Sequence, residues 1–393
     1  MRQSRWRLAS QLSALSVAVV IAASACSSAG ATQTPAVAPS SVAAPPAVTQ
    51  APASQGSAAP VAATAAPASQ AAAAHVCSNK TIGFAEINLT LPFFVDMKKA
   101  SDDLSAAYGV KDVWQSADGS LEKEVSIVQN FIAQKVDAIA IDPLNANALA
   151  AVVTQATSAG IPVVTMGNQV PGIGNHNTLY PDYNDWVMQA NILGSALKGQ
   201  GTVLFLIGSV GNYVSDTRQA GFMDTMTAKF PKIKVLIEPT NFDSSTATSV
   251  TQTVLASHPD LAGVAAISDG LTLPALKVLQ AAGKLGIPFV ANDGDPQVYP
   301  YIEKGQVIDD ILTGDFRVGA WNTAVAARLA CGATFPTNLF MPVYTVMSDA
   351  GAAKVQASGV QITYVTPAKA QQIAGGYVQE FGPSQPDSAM SRQ

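Results

Sequence analysis

The sequence predicts an α/β protein of two similar doubly wound lobes, each built on a parallel sheet with helices on both faces. Two observations carry that expectation. Short β-branched runs alternate with amphipathic helical stretches, and the compositionally ordinary part of the chain, from His75 to about Gly375, has the length of two moderate lobes. Alternating strand and helix implies crossover connections, hence parallel strands covered on both sides.

In chain order, Thr81–Glu86 reads as the first strand and Pro92 to about Tyr108 as the helix after it, with Pro92 at the first helical position fixing the turn. Val136–Ile141 reads as a strand followed by a helix beginning near Asn145. Ile161–Met166, Thr202–Ile207, Ile233–Ile237, Leu261–Ile267 and Ile287–Ala291 continue the series. Val307–Leu312 is a further strand, and about Arg317 to Ala330 a helix.

In such sheets ligands bind beyond the carboxyl ends of the strands, so the residues just after each apolar run are the candidates. Asn88, Phe93 and Phe94 follow the first strand; Asp142, Asn168, Phe242, Asp269, Asp293 and Thr313 follow later ones. Arg218 stands near the start of a helix, and Trp186 follows the turn Pro181-Asp182-Tyr183. Carboxylates, amides and a guanidinium are bidentate partners for vicinal hydroxyls, and aromatic faces cover the C–H side of a sugar ring. A small neutral polar solute fits that inventory. Each acid also has a plainer role, since Asp at a strand-to-helix turn caps the free N–H groups of the helix. Arg218 has the alternative of pairing with Asp216 or Asp224, and the adjacent phenylalanines that of core packing.

Composition narrows the function classes. A formal charge of -5 with 12% charged residues provides no basic field for nucleic acid. The three histidines, His75, His176 and His258, stand far apart, and no Cys-x-x-Cys occurs, so a histidine or cysteine metal site has no support and no cofactor is expected.

Arg2, Arg5 and Arg7, followed by the acid-free apolar stretch Leu8–Ala25, read as an export leader over 1–25. Ala23-Ser24-Ala25-Cys26 resembles the lipobox of bacterial lipoproteins, with Ala23 where Leu is usual; the match implies cleavage before Cys26 and a lipid on its sulfur. An ordinary leader cut after an Ala-x-Ala-like site is the alternative. Ser27–Ala74 contains no charge and no aromatic ring, so the segment 26–76 reads as a disordered tether. The body is therefore expected outside the cytoplasmic membrane, tied to its outer face by the lipid.

From about Lys80 to Pro367 the chain resembles the type I periplasmic binding proteins of the ribose and galactose receptor group, the sugar-receiving subunits of ABC importers. Ile82-Gly-Phe-Ala with Pro92-Phe93-Phe94, Val136-Asp-Ala-Ile-Ala-Ile-Asp-Pro143 and Ala159-Gly-Ile-Pro-Val-Val164 are similar to first-lobe phrases; Arg218-Gln-Ala-Gly-Phe222, Phe242-Asp243 and Asn292-Asp293-Gly294 follow in the second lobe in family order. The resemblance implies that Phe93 and Phe94 sandwich the sugar ring, Phe242 stacks on it, Arg218 clamps hydroxyls, and Asp142 and Asp293 accept from them. Gly167-Asn168 replaces the family's Asp-Arg clamp, Leu91 a polar Asn, and Ser268-Asp269 an Asn-Asp pair. These departures point to a less densely hydroxylated or differently shaped ligand than ribose.

The resemblance also implies a first lobe of 77–181 plus 314–341, a second of 182–313 plus 342–375, a flexible tail over 376–393, and three hinge crossings near Pro181-Asp182, Thr313-Gly314 and Met341-Pro342, with the ligand in the cleft between. It implies a monomer that delivers a sugar or polyol to ABC permease subunits and makes or breaks no bond. With Cys26 lipidated, Cys77 and Cys331 form an even pair in an oxidising compartment. The implied topology brings both to the face of the first lobe away from the cleft, so a disulfide is expected. Two rivals share parts of this inventory. A sensory subunit for a chemoreceptor or sensor kinase shares every residue named; a carbohydrate-processing enzyme would use Asp142 and Asp293 as an acid pair, but Gly208-Ser-Val-Gly211 lacks the register of a nucleophile elbow.

Overall fold

The structure is a computed structural model, and it describes residues 74–90 and 92–391. The leader, Cys26, nearly all of the tether and Leu91 lie outside the described residues.

The strands are β1 (Thr81–Glu86), β2 (Lys111–Ser116), β3 (Ala138–Ile141), β4 (Val163–Met166), β5 (His176–Leu179), β6 (Gln200–Ile207), β7 (Lys232–Pro239), β8 (Leu261–Ala266), β9 (Phe289–Asn292), β10 (Asp309–Leu312), β11 (Asn338–Phe340), β12 (Tyr344–Val346) and β13 (Tyr364–Val365). The helices are α1 (Pro92–Tyr108), α2 (Leu121–Gln134), α3 (Ala146–Ser158), α4 (Asp182–Ala196), α5 (Tyr213–Lys229), α6 (Ser244–Ser257), α7 (Asp269–Ala281), α8 (Tyr299–Glu303), α9 (Asp315–Ala330), α10 (Asp349–Ala357), α11 (Pro367–Gly375) and α12 (Tyr377–Phe381).

They form two sheets, ordered β11-β5-β4-β3-β1-β2 and β13-β12-β10-β9-β8-β6-β7. Every pairing is parallel except β10 with β12. The predicted two-lobed α/β architecture is what the molecule has. Buried-on-both-faces strands such as β3 (Ala-Ile-Ala-Ile) show up as continuous apolar runs, which is why the sequence locates them. On the first sheet, α1 and α9 pack over Phe84, Ala140 and Met166, while α2 and α3 cover the opposite face through Phe131, Ile139 and Val153. The second sheet has one core, in which Trp186 lies against Phe205 and Phe222.

The chain passes between the sheets at 180–182, between β10 and α9, and at 341–343, next to the expected crossings. Two close helix contacts flank this region. A Cβ on Gly319 of α9 would stand 2.0 Å from the Met97 carbonyl oxygen of α1, and one on Gly221 of α5 would stand 2.2 Å from that of Tyr183 in α4. Glycine alone permits both approaches.

The segment expected to be a flexible tail from residue 376 is instead folded through Ser391. It returns to the first lobe, where Tyr377, Phe381 and Met390 are buried against α1 and α9. Arg328, fully buried, donates to Asp387 Oδ1 at 2.5 Å and to the Gln385 and Gly382 carbonyls at 2.7 and 3.1 Å; the Trp321 indole N–H donates to the Met390 carbonyl at 2.7 Å. Three large apolar side chains and a buried guanidinium give this segment a docking site.

Candidate functional site

Parallel strands end together, so the carboxyl ends of the two sheets bring loops from both lobes to one cleft. From the first lobe, Asp142 follows β3 and Asn168 follows β4. Asn168, 6% exposed, donates from Nδ2 to Asp142 Oδ1 at 3.1 Å. Burial raises the Asp142 carboxyl to about 7, against the hydrogen bond from Asn168, which favours its ionised form. Phe93 and Phe94, in the first turn of α1, are half-buried and meet edge to face with ring centroids 5.4 Å apart.

From the second lobe, Arg218 is 3% exposed. Its Nε donates to Asp182 Oδ1 at 2.7 Å, and its Nη1 to the Ile267 carbonyl at 2.5 Å and to Asp293 Oδ1 at 3.5 Å. Neither Asp216 nor Asp224 is its partner. The other terminal nitrogen, Nη2, has no protein partner among the described residues. Asp293 accepts from Ser268 Oγ at 2.8 Å, from the Asp269 backbone N–H at 3.2 Å and from Asn292 Nδ2 at 3.1 Å. Its φ of 126° is a conformation that a residue with a Cβ rarely adopts, held here by those bonds.

The capping alternatives resolve residue by residue. Asn145 caps α3, leaving Asp142 free of that role, and Ser268 caps α7, with Asp269 its first residue. The structure does not bring the Asp269 carboxyl to the ligand side: it is buried and accepts from the Asp295 N–H at 2.7 Å beneath the loop that carries Asp293. Burial, with Asp310 and Asp293 nearby, pushes it well above the usual carboxylate range. Thr313 is likewise buried, its Oγ1 accepting from Asn292 Nδ2 at 3.0 Å, so it braces the loop from behind. Phe242 is 40% exposed at φ 58°, its ring laid over Gly208, where a Cβ would come within 2.2 Å. Trp186 is wholly in the core and donates to Asn292 Oδ1 at 3.2 Å.

Sequence reasoning missed Asp182, Asn292 and Glu86. Asp182 opens α4 at the crossing and neutralises Arg218; Asn292 ties Asp293, Thr313 and Trp186 together. Glu86 ends β1 fully buried. Its only sequence signal is an acid closing an otherwise apolar run. Beside these groups lies an interlobe cavity of about 520 Å³, lined by Asn145, Asn168 and Gln169 from the first lobe and by Tyr183, Asn212, Tyr213 and Thr217 from the second. Of the expected ligand residues, Asn168 alone is among its walls.

The assembled groups can accept and donate hydrogen bonds and cover an apolar face. Among the described residues His75 meets Asp387, His176 the Pro336 carbonyl and His258 lies 4.0 Å from Asp260, and no His, Cys, Asp and Glu cluster suits a metal. At the opposite end of the first sheet, Cys77 and Cys331 are joined, with Sγ atoms 1.98 Å and Cα atoms 5.6 Å apart.

Residues 82–334 match the periplasmic binding protein domain. The chain belongs to the periplasmic binding protein family. Family members work outside the cytoplasm. The chain is 30% identical over 272 residues to a xylitol-binding protein of Mycolicibacterium smegmatis, covering 68% of this chain and 76% of that one. It is 28% identical over 273 residues to the ribose import binding protein of Salmonella typhimurium, covering 66% and 89%. In fold it is similar to an ABC transporter solute binding protein of Mycobacterium smegmatis crystallised with glycerol, with a TM-score of 0.64, 24% identity and coverage of 73% and 99%. These relatives are binding proteins.

Proposed function

We propose that this periplasmic binding protein captures a neutral sugar or polyol between its lobes and delivers it to an ABC import permease. The observation that carries the reading is the electrostatic state of Arg218. Its charge is matched by Asp182 and Asp293 within the same lobe, so Arg218 is not a spare cation for an acidic ligand, while Nη2 has no protein partner among the described residues and is left to donate to a neutral one. Asp293 and Asp142 then accept from hydroxyls, Asn168 serves as an amide partner, and Phe93, Phe94 and Phe242 cover carbon. Asn168 in place of a charged clamp, together with the xylitol-binding relative, favours a polyol or a sparsely hydroxylated sugar over ribose. Ligand bridging the lobes shifts the open–closed equilibrium that a permease reads. Export by the leader and lipidation at Cys26 place the body on the outer face of the membrane, with the tether giving it reach.

A thermal-shift panel of pentoses, hexoses and acyclic polyols tests this, because a ligand that binds only the folded state raises its melting temperature. At least one sugar or polyol raises it and is recovered chemically unchanged. A panel without any shift, or turnover of the bound compound at enzyme-like rates, overturns the reading. Mass analysis of membrane-extracted protein checks the anchor: the mature chain begins at Cys26 carrying acyl groups.

A further inference from the structure

Parallel pairing of β1 with β3 sets Ala85 opposite Ile141 and therefore puts the next residues, Glu86 and Asp142, side by side at the strand ends, where neighbouring strands run about 5 Å apart. The Asp142 N–H donates to the Ala85 carbonyl at 3.0 Å, which locks that register. Glu86 is 0% exposed; its Oε1 accepts from the Ile87 N–H at 2.8 Å, and its Oε2 is buried with no conventional donor in reach. A buried carboxylate oxygen without a donor beside a second carboxylate is costly unless a proton lies between the two.

The surroundings supply no other remedy. Glu124 on α2 is a third acid, accepting from the Leu144 N–H at 3.1 Å and raised to about 8 by burial. Tyr180, after β5, is a phenol that burial and the neighbouring Asp142 keep protonated. Among the described residues no lysine, arginine or histidine pairs with Glu86, Asp142 or Glu124.

We propose that Glu86 is a positioning residue of the ligand site: its protonated carboxyl donates to Asp142 and fixes the orientation in which Asp142 accepts from the ligand. Asn168 Nδ2 donates to Asp142 as well, so Asp142 is held by two donors, from β1 and from the loop after β4. Asp142 already accepts from Asn168, which favours its ionised form, whereas Glu86 Oε2 has no donor among the described residues, and burial with the Asp142 charge beside it raises Glu86 well above the ordinary range. The proton therefore belongs on Glu86. The inference rests on the sugar or polyol reading for its consequence in binding, while the shared proton is measurable without ligand.

The test compares the wild-type body with Glu86→Gln, which keeps a donor but cannot ionise, and Glu86→Leu, which keeps neither. In ligand-free protein at about pH 7, the infrared difference between wild type and Glu86→Gln contains a protonated-carboxyl carbonyl band. Its absence overturns the proposal whatever binds. With the xylitol-class ligand found by the panel, calorimetric affinity of Glu86→Gln stays within about threefold of wild type at about pH 6, and that of Glu86→Leu drops about tenfold. As pH rises through the folded-state range of Glu86, wild-type affinity declines more steeply than that of Glu86→Gln, in which only the other acids, Asp142 and Glu124, titrate. A Glu86→Leu variant that binds like wild type, or a Glu86→Gln variant that follows the wild-type decline, overturns the proposal. A wild type that responds to no sugar or polyol instead overturns the ligand reading, and the infrared band still decides the shared proton.

The stability of ligand-free protein gives a second readout, independent of binding. A carboxyl whose folded pKa is raised stabilises fully below its unfolded value, near 4.3, and loses that contribution as pH rises through the folded value. The melting temperature of wild type relative to Glu86→Gln accordingly falls from about pH 4 upward; a pH-independent difference counts against the shared proton.

Discussion

At the scale of single residues, the site consists of a few exposed atoms held by many buried ones. Asp293 makes this concrete, because its carboxylate is braced by Ser268, Asn292 and the first N–H of α7 before any ligand arrives. Asp293→Asn preserves shape and removes the charge to which ligand hydroxyls donate on the proposed reading. It is expected to weaken binding by about 2 kcal/mol with the melting temperature within a few degrees of wild type, and unchanged calorimetric affinity would leave Asp293 a loop brace. That Asp293 and Arg218 come together was legible because each follows an apolar strand of the second sheet. Asp269 was misplaced by the same rule, since the backbone turns its carboxyl under the loop toward the Asp295 N–H. Sequence position gives the end of the sheet but not the direction of the side chain. Glu86 escaped notice because an acid closing a strand ordinarily reads as its solvated end.

At the scale of elements, what the sequence revealed follows from burial. Central strands such as β3 and β4 are apolar on both faces and were found, whereas β2 (Lys-Asp-Val-Trp-Gln-Ser) is a half-buried edge with polar alternation, and β12 and β13 have three and two residues. The contact between α1 and α9 was not legible, because a lone glycine within a helix carries no direction. Gly319→Ala drives a Cβ against the Met97 carbonyl and is expected to destabilise the body by about 3 kcal/mol in denaturant titration, since backbone cannot yield as a side chain end does. The link from Cys77 before β1 to Cys331 after α9 joins the outer ends of two elements packed in one lobe. Replacing both cysteines by serine should lower stability by about 2–5 kcal/mol and leave ligand affinity unchanged. Two free thiols in freshly exported protein would show that the link does not form.

At the scale of the whole molecule, the returning C-terminal segment is the largest departure from expectation. Its Gly-, Ser- and Gln-rich sequence reads as a tail, yet Tyr377, Phe381 and Met390 are buried and Glu380 pairs with Arg317 at 2.7 Å. Arg317 also donates to the carbonyls of Leu312, Thr313 and Pro342, the backbone of two crossings between the lobes. Ending the chain at Gly375 would strand two buried guanidinium groups and uncover three apolar side chains. Loss of about 5 kcal/mol or more is expected, read as a lowered or broadened thermal transition; an unchanged transition would mean that the segment contributes nothing to the folded state. His75, where the chain enters the body, meets Asp387 near its other end, through both its backbone N–H at 3.1 Å and its ring at 2.5 Å. Entry and exit of the chain are thus moored on one lobe. On the proposed reading of an anchored receptor, the segment before His75 would hold the first lobe as a stator while the second lobe swings as a rotor, so closing on a ligand would neither reel in nor slacken the tether.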